Sequence, residues 1–116
     1  MVYFSERRLP GFVVLSAYAR AADALLSERE QQVIEAHLLA TPDAGAVIAG
    51  TGGVRKLRFG VAGRGKRGGV RVIYYYRATV GRIYLITVFA KNARTDMTMS
   101  EKAELRRLTS SLDREE

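Results

Sequence analysis

The segment Arg82 to Lys91 is apolar on both of the faces it would present as a strand. Ile83, Leu85 and Phe89 alternate with Tyr84, Ile86 and Val88, and a strand projects successive side chains to opposite sides. Residues of this kind belong in the middle of a sheet. The chain before it keeps the same period. Val70 to Arg77 forms a second strand, and the short turn Ala78 to Gly81 favours antiparallel pairing of the two. Val54 to Val61 alternates as well, with Val54, Lys56 and Arg58 on one face and Leu57, Phe59 and Val61 on the other. A basic glycine-rich loop, Gly60 to Gly69, joins it to the next strand.

The first third of the chain has a different period. Phe12 to Leu15 is a short apolar run after Pro10-Gly11, which predicts an opening strand. From Ser16 the spacing becomes helical, with Tyr18, Ala21, Ala22, Leu25 and Leu26 on one face. Ser27-x-x-Glu30 is a capping box that starts a second helix, with Val33, Ile34 and Leu38 facing inward. Thr41-Pro42 ends it, because proline disfavours helical geometry in the residue before it. Thr98-x-x-Glu101 is another capping box and opens a last helix with Leu105, Leu108 and Leu112 aligned. The expected fold is α+β: an N-terminal strand and αα-hairpin, then a three-stranded antiparallel sheet and a C-terminal helix, with the helices on one face of the sheet. A chain of 116 residues is expected to make one domain, 1–116.

Charge is distributed unevenly along this frame. Between Asp43 and Asp96 there is no acidic residue, yet eleven lysines and arginines fall there, and ten of the eleven glycines lie between Gly45 and Gly81. The flanks carry eight basic and twelve acidic residues, so the net charge of +7 comes from the middle. A one-signed field attracts polyanions, and glycines let phosphates approach the backbone. An isolated strand lysine is ordinarily a solvated side chain, but solvated surfaces mix signs. This segment does not, and it points to RNA or DNA. If the strand faces coincide, Lys56, Arg58, Arg71 and Lys91 line one basic surface, overhung by Arg64-Gly65-Lys66-Arg67. Tyr75, on the Arg71 face, is the tyrosine of Tyr74-Tyr75-Tyr76 placed to stack on a base.

Several functions are excluded or disfavoured by composition. Without cysteine there are no disulfides and no thiolate metal sites. The single His37, expected to be structural or exposed, rules out a histidine-rich metal site and a two-histidine nuclease mechanism. Gly63-x-Gly65-x-x-Gly68 spells a dinucleotide fingerprint, but it joins two strands instead of a strand and a helix. No apolar run is long enough to span a membrane and no signal peptide is evident, so a cytoplasmic protein without cofactor is expected.

The run Gly50-Thr51-Gly52-Gly53-Val54-Arg55-Lys56-Leu57-Arg58, then Gly65-Lys66-Arg67-Gly68-Gly69-Val70-Arg71-Val72-Ile73-Tyr74, then Ile83 to Asn92 ending in Ala90-Lys91-Asn92, resembles the RelE/ParE toxin superfamily. The nearest resemblance is to the HigB-like RelE branch of type II toxin–antitoxin systems. It covers roughly residues 40 to 112 well and the N-terminal helices loosely. The resemblance implies a small basic ribonuclease that cuts mRNA in the ribosomal A site and is neutralised by a cognate antitoxin, often a helix-turn-helix protein. Carried over by position, Lys56, Arg71, Lys91 and Lys66 become the catalytic candidates. Arg55, Arg58, Arg64, Arg67, Tyr75 and Asn92 become RNA contacts. Some RelE toxins have an arginine after the last-strand lysine and a tyrosine near the final helix; here Asn92 and Asp96-Met97-Thr98-Met99 stand there instead.

The implied reaction is attack by the RNA 2′-hydroxyl on the adjacent phosphate, without a metal. It needs a base, an acid and positive charge at the phosphorane. Arg71 suits the charge role, because a guanidinium stays protonated and clamps two oxygens. Like charges nearby favour a neutral lysine, which makes Lys56 or Lys66 the candidate base, and Lys91 the candidate acid or phosphate contact. ParE-like relatives on the same scaffold act on DNA gyrase and lack this basic cluster. A non-catalytic RNA-binding module is the third reading.

Overall fold

A computed structural model describes residues 4–9, 11–60, 69–91 and 96–114 of the chain. In chain order its elements are β1 (Phe4–Leu9), β2 (Phe12–Leu15), α1 (Ser16–Leu25), α2 (Glu28–Ala40), β3 (Ala46–Val47), β4 (Arg55–Phe59), β5 (Val70–Arg77), β6 (Arg82–Ala90) and α3 (Met99–Asp113). A single 3₁₀ turn, Ala78–Val80, joins β5 to β6, and Gly81 closes it with φ of 61°.

The strands form one mixed sheet in the order β1-β2-β6-β5-β4-β3. This corrects the expected three-stranded antiparallel sheet: the described residues form six strands, although β3 contributes only two residues. The strands β4, β5 and β6 pair antiparallel as expected, and β5 and β6 occupy the centre. The opening strand is not separate from this sheet. It joins β6 in parallel, Phe12 opposite Ile83 and Val14 opposite Leu85, and β1 pairs with it from outside.

Both faces of the sheet are covered, which corrects the placement of all helices on one side. On one face Tyr18, Ala22, Leu26, Ile34 and Leu38 from the first two helices pack with Phe12, Val14, Val72, Tyr74 and Leu85. On the other, Leu105, Leu108 and Leu112 of α3 pack with Val13, Leu15, Ile73, Tyr75, Tyr84 and Ile86. The physical reason lies in β6 itself. Tyr84 and Ile86 present large apolar surfaces, as Ile83 and Leu85 do, and each set needs its own cover.

Local signals set the helix ends. Ser27 Oγ accepts from Glu30 N and Glu30 Oε1 accepts from Ser27 N; Thr98 and Glu101 do the same for α3. One helix phase departs from expectation. Val33 is 42% exposed, and Gln31 is buried in its stead, its amide nitrogen donating to Ala22 O and Asp23 Oδ1.

The glycine-rich turn before β4 is held by α3. Thr109 Oγ1 donates to Thr51 O at 3.0 Å, and Thr51 Oγ1 bridges Ile48 O and Val54 N. Gly52 has φ of 78°, and a Cβ there would overlap Thr109 Oγ1. Packing against a helix, instead of approach to a phosphate, accounts for glycine at this position.

Candidate nucleic-acid interface

Register decides which basic side chains meet. In the β4–β5 ladder Lys56 stands opposite Ile73 and Arg58 opposite Arg71; in the β5–β6 ladder Arg71 stands opposite Phe89. Lys91 N then donates to Gly69 O at 2.9 Å, carrying the pairing one step beyond β6. Directly opposed residues share a face and strands alternate. Lys56, Arg58, Arg71 and Lys91 therefore all lie on the face that α3 covers, toward the end of β5 away from Arg77. Lys66, Arg64, Arg67 and Asn92 lie outside the described residues.

The centre of this surface is a like-charge pair. Directly opposed side chains have Cβ atoms about 4.5–5.5 Å apart, and two cations in that relation repel. Arg71 is only 7% exposed, whereas Arg58 is exposed. Burial first, and Arg58 second, push the Arg71 guanidinium below its ordinary value. Among the described residues no carboxylate lies within ion-pair distance of Arg58, Arg71 or Lys91. A buried charge held beside another of the same sign is costly, and an anion bridging the two would relieve both penalties.

One carboxylate does reach the surface, and sequence reasoning missed it. Asp96 Oδ1 lies 3.5 Å from Lys56 Nζ and also accepts from Met97 N at 2.8 Å. That backbone N–H first, with the Lys56 and Lys102 charges adding to it, holds the Asp96 carboxyl below the usual aspartate range. The available signal was its position. Asp96 is the first acid after the acid-free stretch and stands two residues before the Thr98 cap.

Two expected RNA contacts belong to the framework instead. Arg55 has the opposite parity from Lys56, and its Nη1 donates to Asp43 O and Gly45 O at 3.1 and 2.7 Å, closing the turn after α2. Tyr75 lies on the Arg71 face but under α3. It is 8% exposed, stacks on Tyr84 with ring centroids 6.2 Å apart, and donates to Asp113 Oδ1 at 2.6 Å. Burial, then that bond, push its hydroxyl up to about 12. No ring face is left for a base. Tyr74 faces the first two helices, its hydroxyl accepting from Gly45 N and donating to Pro42 O.

The remaining surfaces suit a polyanion less well. A cleft of about 400 Å³ between α1 and α3 has an apolar floor that includes Leu15, Ile86 and Leu105, and it carries Glu101 and Glu104 beside Arg20. His37 is exposed on α2. Among the described residues no group of three or more His, Cys, Asp or Glu is arranged to hold a metal ion, and no helix is long and apolar enough to cross a membrane. A comparison with protein families matches residues 27–116 to the RelE toxin of the RelE/RelB toxin–antitoxin system.

Proposed function

The chain belongs to the RelE toxin family, and from that premise we propose that it is a ribosome-dependent endoribonuclease of the HigB-like branch, cutting translated mRNA in the cytoplasm. A toxin of this family has an antitoxin partner; the reading makes it a helix-turn-helix protein. The observation that carries the proposal is Arg58 directly opposite the buried Arg71, with Lys56 and Lys91 on the same sheet face.

The chemistry asked of these residues is limited. The RNA 2′-oxygen attacks the adjacent phosphorus, the bond from phosphorus to the 5′-oxygen breaks, and a 2′,3′-cyclic phosphate and a 5′-hydroxyl result. Negative charge on the non-bridging oxygens grows as the phosphorane forms. Fixed cations aimed at that charge lower the barrier without reorganising, which is the largest contribution in reactions of this kind. Arg71, clamped between strands, is pre-set for the task, and exposed Arg58 closes on the same phosphate. Lys56 and Lys91, on the same face, are the candidates for moving the protons, with Lys66 as a further candidate base and Arg64 and Arg67 as further RNA contacts. No metal is assigned a step. The cationic face also gives the expected antitoxin a physical role, because an uncovered one would bind nucleic acid without selection.

The test is cleavage in a purified translation mix. Fragments that appear only with ribosomes, ending in cyclic phosphate and 5′-hydroxyl, are expected. Intact mRNA with RNA bound would make the chain a binding module. Intact mRNA with inhibited DNA gyrase would make it a ParE-like toxin.

A further inference from the structure

The ion pair between Lys56 and Asp96 joins β4 to the segment that opens α3, at the edge of the basic face. Lys56 is fixed at its Cα by β4, opposite Ile73. Beyond that point its side chain has four rotatable bonds, and an unrestrained ammonium sweeps a wide arc. Asp96 has little such freedom. Its Oδ1 accepts from Met97 N at 2.8 Å, Met97 is buried among the residues under α3, and Thr98 two residues on is locked into the helix cap by Glu101. The carboxylate is thus tied to the start of α3, and it meets Lys56 Nζ at 3.5 Å.

Stability does not account for a carboxylate at this place. Both partners are substantially exposed, 34% and 51% at the side chain, and ion pairs in water contribute little to folding. A negative charge on a face that takes a polyanion also opposes binding. Its use must lie in what it does to the lysine. We propose that Asp96 is a positioning residue: it holds Lys56 Nζ at the point on the sheet face where the scissile phosphate is processed. This rests on the nuclease reading of the same face. Reactive groups misplaced by about 1 Å lose on the order of a hundredfold in rate, so freeing the lysine should slow the chemical step while leaving RNA capture intact.

Asp96→Asn separates these effects, since its amide oxygen still accepts from Met97 N but the charge is gone. In the purified translation mix, Asp96→Asn is expected to lower the maximal cleavage rate about tenfold or more. The concentration of programmed ribosomes giving half that rate should stay the same or fall, and the melting temperature should match the parent. Asp96→Glu should recover part of the rate. In a Lys56→Ala background, Asp96→Asn should cost nothing further, because the partner it acts through is absent. Parental rates in Asp96→Asn, or an equal loss with and without Lys56, would overturn the proposal while leaving the nuclease intact. A parental chain that leaves mRNA whole would overturn both.

Discussion

Strand β5 carries an arginine at each end of the same face, and the two are equally buried at 7% exposure. Arg77 is met by α3: its Nε lies 3.6 Å from Asp113 Oδ1, the same oxygen that accepts from Tyr75. Arg71 has Arg58 opposite it and, among the described residues, no carboxylate within ion-pair distance. One strand, one residue type and one degree of burial therefore give two electrostatic outcomes. At the Arg77 end the fold supplies its own anion. At the Arg71 end the described residues supply no carboxylate to either arginine. Changes at the first end should move stability and spare the chemistry, and changes at the second should do the reverse.

The strongest stability effect at the closed end is expected from Gly52→Ala. Its backbone is in the left-handed region, and the new methyl would overlap Thr109 Oγ1, which is buried and committed to Thr51 O. A loss of about 3 kcal/mol in denaturant unfolding is expected, with cleavage per folded molecule unchanged. Lost cleavage without lost stability would return this glycine to the phosphate-binding role its motif suggests.

Arg77→Ala comes next, at about 2 kcal/mol, since it removes a buried stem and a charge-assisted contact. Half-exposed Asp113 remains solvated and limits the cost. Cleavage by the folded fraction should equal the parent's, and a large rate loss would erase the distinction between the two arginines.

Tyr75→Phe is expected to cost least, about 1 kcal/mol. It carries a pH signature. The Tyr75 hydroxyl is raised from 10.0 to about 12 in the fold, so its contribution is complete below pH 10 and is lost as pH climbs through about 12. A fall in stability across that window in the parent, reduced in Tyr75→Phe, is the expected result in alkaline unfolding. Equal curves would mean that the bond to Asp113 does not hold the helix.

These two ends were unequally legible in the sequence. The alternation of Lys56 and Arg58 and the two capping boxes are local patterns, and local geometry fulfils them. The central place of β6 also followed from its own residues. What required the fold was everything decided by distant partners. Phe12 to Leu15 looks like any short strand, and its parallel pairing with β6 depends on a chain crossing more than sixty positions away. Leu105, Leu108 and Leu112 announce an apolar helix face without saying which side of the sheet it covers. That choice turned Tyr75 from a surface ring into core, and it made Gly52 a seat for Thr109. Arg55 and Lys56 are neighbours of equal charge, and only their parity separates a turn-closing side chain from one on the candidate site. Asp96 was hidden because its meaning is a distance to Lys56.

On this reading Arg58 and Arg71 have no carboxylate within ion-pair distance among the described residues so that they can take a scissile phosphate. The most direct measurement is Arg71→Ala in the purified translation mix, with its melting temperature recorded on the same sample. The expected result is a cleavage rate lower by about a hundredfold or more, as when one preorganised oxyanion donor is removed, in a protein that melts close to the parental temperature, because relief of the buried like-charge contact offsets the lost packing of the stem. Parental cleavage, or a loss fully explained by unfolding, would contradict it.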